Sequence, residues 1–257
     1  MPQTSAPLPL GEHRARVLEY LRSIALPQRS VAAAIIDERR PPVERRLLLR
    51  PILVLWAAAA CGAGRRDATP VAAAFDLFDR FMLLHDELVE APAQGRTGSP
   101  VARWGLGQSL NAGDALYALA LRALAQDVVE PERRLRVAGL VTRAVLEAIE
   151  GRASDTQAGA AARKNGLFGR VRSQRRRSAA LTAAAMEAGA AIAGAPAGVC
   201  REFRRAGALL DLAAAAGDRA LAARVGARAL AAVARGMPDG SAMPEFEEVV
   251  RYVVAAA

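Results

Sequence analysis

The stretch FDLFDRFMLLHDELVE, residues 75–90, decides how the rest of the chain is read. Its apolar and acidic positions recur every three to four residues, the spacing of one helical face rather than of a strand. Phe78, Met82, Asp86 and Glu90 share that face, with Phe81 beside Met82 and Glu87 beside the acidic pair. An acidic cluster above an apolar stripe suits a ligand with a charged head and a greasy tail. Like charges one turn apart repel mildly unless something neutralises them. A hard cation such as Mg²⁺, held by one or two carboxylates together with phosphate oxygens, does so. The same spacing also occurs at ordinary solvated helix ends, so its surroundings must decide.

Those surroundings are helical throughout. The 257 residues include 61 Ala, 53% are apolar and only 4% aromatic. Ala is the strongest helix former and poor in strands, which excludes an all-β sandwich or barrel. The apolar content excludes a disordered chain. Residues 1–257 are read as one helical domain with a substantial core, residues 1–11 being flexible. The longest uncharged apolar run, residues 51–64, falls short of the roughly 20 residues that span a bilayer, so stable membrane insertion is not expected. Residues 1–11 lack the basic head and apolar centre of a signal peptide, and a cytoplasmic location is expected. Cys61 and Cys200 cannot build a disulfide framework, and no zinc spacing is present.

The net charge is +9, and 34 of the 35 basic residues are Arg. A surface of this sign favours anionic ligands, phosphate and diphosphate included. Without aromatic stacking platforms or a recognition helix, nucleic acid is not an expected partner.

Helices are expected over residues 12–25, from Pro41-Pro42 through 47–61, and from Thr69-Pro70 to 91. Further helices are expected over 107–126, 131–162, 168–193, 199–216, 218–235 and 244–256. Gly62-Ala63-Gly64 reads as a helix terminator, since no strand precedes it and dinucleotide-loop spacing does not follow. Residues 93–100, rich in Gly, Ser and Thr, read as a loop. One antiparallel bundle is the simplest arrangement.

The order of segments after Glu90 is specific. QGRTGSP at 94–100 is followed by WGLGQSLNAGDAL at 104–116, then Glu150-Gly151 with Asp155, then RSAAL at 177–181 and GAAIAG at 189–194. In this order the chain resembles the trans-isoprenyl diphosphate synthases (polyprenyl synthases), in register from about Leu49 to Asp218. There the motifs are Asp-Asp-x-x-Asp, Arg-Arg-Gly-x-Pro-Thr, W-G-x-x-Q-x-x-N-A-G-D, E-G-Q-x-x-D and K-T-A-A-L. The resemblance implies an all-α, single antiparallel bundle of the isoprenoid synthase type with a central cavity.

It further implies Mg²⁺ as cofactor and an allylic prenyl diphosphate as ligand. Asp86, Glu87 and Glu90, with Asp218 across the cavity, stand as metal ligands. Asp86, Glu90 and Asp155 stand as catalytic residues, and Arg50, Arg96 and Arg177 as diphosphate ligands. Phe78, Phe81 and Met82 stand as the floor that limits the prenyl tail, or else as plain core. A homodimer, or a heterodimer with another synthase subunit, is implied as well.

Departures from the family pattern point to a narrower role. The second acidic motif reads GALLDLAAAAGD at 207–218, so two of its aspartates are Ala214 and Ala215. Asp218 survives, and Asp211, one turn earlier, is a candidate to compensate. At the homoallylic (isopentenyl diphosphate) positions stand Leu47, Arg50, Asp79 and Thr97, of which only Arg50 matches, and Asp79 would repel a diphosphate. The expectation is a protein that ionises an allylic diphosphate for prenyl transfer or terpene-synthase-type chemistry, without the usual second substrate. The alternative is a catalytically silent partner or regulatory subunit of an active synthase. Ser109 and Ser178 show no His and Asp partners for nucleophilic catalysis, and His85, beside the acidic motif, is read as supporting that motif or packing rather than as catalytic. His13 is read as surface, and residues 170–177 as a solvated face with Arg177 directed to the cavity.

Overall fold

The computed structural model describes residues 8–24, 30–37, 49–63, 65–90, 98–125, 130–158, 166–237 and 243–255. Side chains of residues 8–14, 37, 65–67, 90, 152–158 and 166–177 lie outside that description. The described residues form ten helices and no strand: α1 (Leu8–Ile24), α2 (Val31–Asp37), α3 (Leu49–Ala60), α4 (Arg65–Glu90), α5 (Pro100–Leu124), α6 (Pro131–Ala158), α7 (Gly166–Ile192), α8 (Ala197–Ala214), α9 (Arg219–Gly236) and α10 (Met243–Ala255). None is long and apolar enough to cross a membrane.

Two helices make the centre. Every position from Leu49 to Ala58 in α3 is buried, as is every position from Ala68 to Arg80 in α4. A helix buried all round must satisfy its polar groups internally. In α4 these include Asp76, Asp79 and Arg80, and each has a charged partner within the core. Helix α7 crosses α3, with α8 and then α9 beyond it, while α5 lies along α4. Close crossings depend on glycine. A methyl at Gly189 would lie 2.7 Å from Ala57 Cβ, and one at Gly207 would lie 2.9 Å from Ala183 Cα. Trp56 of α3 stacks between Phe203 of α8, 5.7 Å between ring centroids, and Phe246 of α10, 4.7 Å.

Helix ends follow local chemistry. Gly62, with φ of 84°, closes α3, and the amides of Gly62 and Ala63 bond back to Ala59 and Ala58. That paired return is the glycine stop read from the sequence. Elsewhere the bounds differ from expectation. Helix α1 begins at Leu8, so residues 8–11 are helical rather than tail. The short α2 was not anticipated. Ser30 accepts from the Ala33 amide at its start, and Arg80 donates to the Ile35 and Ile36 carbonyls at its end.

Helix α4 begins at Arg65, leaving Thr69 and Pro70 inside it rather than at its cap. Pro70 is the sixth residue of α4, past the first turn, so the helix forgoes one i→i−4 hydrogen bond there. Helix α5 starts at Pro100, capped by the Ser99 hydroxyl, and bends at Gly105 with φ of 76° and ψ of 169°. Regular helix resumes beyond the bend, close to the Gly107 start expected from the sequence.

Candidate active site

The site is built where α4 leaves the core. Burial is continuous through Arg80, and from Phe81 onward the helix is partly exposed, so Asp86 and Glu87 stand roughly 9–10 Å beyond the last wholly buried turn. Both acidic residues are half-buried. The Oε1 of Glu87 is inaccessible to solvent and has no hydrogen-bond partner among the described residues. A buried carboxylate oxygen left this way is costly unless a cation or donor completes it. Glu90 ends α4, and its side chain lies outside the described residues.

Below the acidic end lies an aromatic wall. Phe81 is tilted against His85, 4.3 Å between centroids, and against Tyr117 of α5 at 5.3 Å. Phe78 meets Tyr117 edge-on at 5.5 Å and is 1% exposed. Met82 and Phe81 are only partly buried. The three expected floor residues therefore divide: Phe78 is core, while Phe81 and Met82 flank the acidic end. His85 Nδ1 lies 3.1 Å from the Phe81 carbonyl, and its ring occupies the space where a side chain at Gly113 would be. Packing is one of the two roles the sequence offered for His85, the other being support of the acidic motif. The glycine of the N-A-G-D segment is what admits it.

Arg50 departs from its expected role. It is buried, and its Nη1 is ion-paired with Asp79 Oδ1. Its Nε donates to Thr182 Oγ1 at 3.1 Å and its Nη2 to Ser178 Oγ at 2.8 Å. Both hydroxyls then donate to Asp211 Oδ1, at 2.8 Å from Ser178 and 2.9 Å from Thr182. One guanidinium thus serves Asp79 directly and Asp211 through two hydroxyls, tying α3, α4, α7 and α8 together. In this structure Arg50 is engaged by Asp79, Ser178 and Thr182, and Asp211 Oδ1 accepts within the same network. Ser178 does have an acidic partner, donating to Asp211 while accepting from Arg50.

Asp218 has a local structural role. Its exposed carboxylate accepts from the Leu221 amide at 2.7 Å and caps α9. Among the described residues, no three acidic, His or Cys side chains come together as a metal site. The carboxylates that could meet Mg²⁺ are unevenly placed: Asp86 and Glu87 stand together on α4, Ala214 and Ala215 at the end of α8 have none, and Asp218 lies beyond α8 as the cap of α9.

Arg96, Leu47 and Thr97 lie outside the described residues, as do the side chains of Asp155 in α6 and Arg177 in α7. Sequence reasoning missed Thr182 and Tyr117. Thr182 carried one signal, its place four residues after Ser178 on one helical face.

The polyprenyl synthetase family model matches residues 47–213. A (2E,6E)-farnesyl diphosphate synthase of Mycobacterium bovis is 37% identical over 164 residues, covering 62% of this chain and 45% of that protein. A geranylgeranyl diphosphate synthase of Mycobacterium tuberculosis is 48% identical over 77 residues, covering 29% and 22%. The matches therefore span less than half the length of these curated relatives.

Among solved structures, a polyprenyl synthase from Caulobacter crescentus CB15, complexed with calcium and isoprenyl diphosphate, superposes with a TM-score of 0.78 at 20% identity over 99% of both chains. A decaprenyl diphosphate synthase from Rhodobacter capsulatus gives 0.70 at 20% identity over 96% of both. The all-α architecture is that of these synthases. The chain belongs to the polyprenyl synthetase family, a prenyltransferase family of isoprenoid metabolism.

Proposed function

We propose that this chain binds an allylic prenyl diphosphate at the acidic end of α4 and ionises it without condensing it with isopentenyl diphosphate. The observation that carries the reading is the Arg50–Asp79 ion pair, about two helical turns before an acidic end of α4 where Glu87 Oε1 is buried without a hydrogen-bond partner among the described residues. A guanidinium neutralised by a carboxylate no longer attracts a second diphosphate, while a Glu87 oxygen without a hydrogen-bond partner among the described residues favours a cation. Asp86, Glu87 and Glu90 would hold Mg²⁺, which supplies neutralisation of the departing diphosphate. Arg96 and Arg177 add fixed positive charge to the phosphates in this reading, and Asp155 belongs to the same catalytic set. Phe81, Met82 and Tyr117 would cover the prenyl tail and exclude water from the allylic cation left when the C–O bond breaks.

The protein works in the cytoplasm on this view, as a homodimer or heterodimer. Exposed leucines favour association: Leu106, Leu110 and Leu121 along α5, and Leu135 and Leu146 along α6. The silent-partner reading draws on the loss of carboxylates from α8.

One experiment separates these readings. The protein is incubated with C10, C15 and C20 allylic diphosphates, with and without Mg²⁺ and isopentenyl diphosphate, following pyrophosphate release and product identity. Mg²⁺-dependent release with no elongated product is expected. Elongated prenyl diphosphates made by the purified chain would overturn the proposal, and absence of any allylic binding would leave the partner reading in its place.

A further inference from the structure

We propose that the solvent face of the α8–α9 hairpin docks on an anionic lipid bilayer surface. On α8, Arg201, Arg205 and Leu212 are exposed and fall within about 40° of one another on the helical wheel. On α9, Leu221, Arg224 and Arg228 are exposed and fall within about 60°. Arg235 of α9 donates to Glu202 of α8 at 2.8 Å, so the two stripes border one face.

Acidic groups offset only part of this charge, since α8 and α9 together carry seven arginines. Helix α9 contains no acidic residue. Glu202 is ion-paired with Arg235, Asp211 is part-buried against Ser178 and Thr182, and Asp218 is an exposed carboxylate at the start of α9, so arginines outnumber carboxylates seven to three on the pair. Arg201, Arg205, Arg224 and Arg228 form no ion pair with a described residue.

The apolar residues select the partner. Leu212 is 46% and Leu221 40% exposed, on either side of the turn between the helices. Arginines flanking exposed leucines match a headgroup layer over an acyl boundary, where cations meet anionic lipid and leucine enters the interface. A nucleic-acid backbone would use the arginines but not the leucines, and no aromatic side chain stands on this face to stack a base. The contact is peripheral and independent of the catalytic reading.

The full chain is sedimented with vesicles of phosphatidylcholine alone and of phosphatidylcholine with phosphatidylglycerol. Binding to the anionic vesicles only, released by salt, is expected. Each arginine near an anionic surface contributes roughly fivefold to partitioning, so Arg224→Gln with Arg228→Gln should weaken binding about 25-fold. The charge-matched pair Arg122→Gln with Arg143→Gln, on α5 and α6, should weaken it less than about fivefold. Leu212→Ser with Leu221→Ser should remove the binding that survives at moderate salt. Circular dichroism checks that all variants fold. Equal losses in the two arginine pairs, binding to neutral vesicles alone, or retention on duplex DNA at salt concentrations that strip the vesicles overturns the proposal.

Discussion

The carboxylate of Asp79 closes the guanidinium of Arg50, and the pair is sealed inside the bundle. Breaking a buried ion pair from one side leaves an uncompensated charge, at a cost of about 3–5 kcal/mol. Asp79→Ala should fall near the lower end, because Ser178 and Thr182 still accept from Arg50. The double variant Arg50→Met with Asp79→Leu should recover at least half of that loss. Urea denaturation measures both. Added inorganic diphosphate should raise the melting temperature of Asp79→Ala and leave the wild type unchanged. Equal shifts in the two proteins would contradict the idea that Asp79 stands in for an anion.

Asp218 should behave as a cap. Asp218→Asn should be nearly neutral, and Asp218→Ala should cost about 1 kcal/mol, as typical for loss of an N-cap side chain. Neither should alter Mg²⁺-dependent affinity for an allylic diphosphate, whereas Asp86→Ala should abolish it. Calorimetry with C15 diphosphate decides, and a large affinity loss in Asp218→Asn would restore a metal role to α8.

Phe81 and Phe78 should part company. Phe78 is enclosed, so Phe78→Ala should cost about 3–5 kcal/mol with no change in tail preference. Phe81→Ala, at the partly exposed edge, should cost less and shift relative affinity from C15 toward C20 diphosphate. An unchanged C20-to-C15 ratio in Phe81→Ala would remove it from the floor.

Burial pushes the Cys61 thiol from 9.0 up to about 11, with Cys200 nearby adding to the effect. The unfolded chain ionises this thiol first. Its contribution to stability is therefore full below pH 9.0 and is lost as pH rises through about 11. Wild type should lose stability faster than Cys61→Ala over that interval in urea titrations. Parallel curves for the two proteins would refute the linkage.

Gly207 should tolerate substitution worse than Gly113. A methyl at Gly207 meets the α7 backbone, which cannot yield, whereas one at Gly113 meets the His85 ring. Overpacking costs of about 1–3 kcal/mol apply, with Gly207→Ala at the upper end. His85→Ala should relieve Gly113→Ala and do nothing for Gly207→Ala.

What the sequence made legible was local. Gly62 stops α3 through its own backbone, the apolar run from Leu49 required burial, and spacing alone set Asp86 near Glu87. Arg50 and Asp79 are 29 positions apart, and Arg50 and Thr182 are 132 apart. No periodic pattern encodes such a meeting, since it depends on how α3, α4 and α7 cross. A register comparison raised the mismatch at Asp79, but only packing turned it into an ion pair. Helix α2 escaped notice because seven residues are too few to display a face. Thr69-Pro70 looked like a cap because Pro is common in first turns, and α4 instead carries it a little further in.

The two tryptophans sit in opposite settings. Trp56 is clamped between Phe203 and Phe246, while Trp104 is partly exposed beside the bend at Gly105, with the Arg103 guanidinium 4.6 Å from its ring centroid. The protein therefore carries two intrinsic fluorophores with separable readouts. Emission from Trp56 follows the docking of α10 and the integrity of the core, and the quencher-accessible emission of Trp104 follows the α5 bend. With Trp104→Phe and Trp56→Phe proteins as references, ligand entry and global unfolding become distinguishable optical signals from an unlabelled chain.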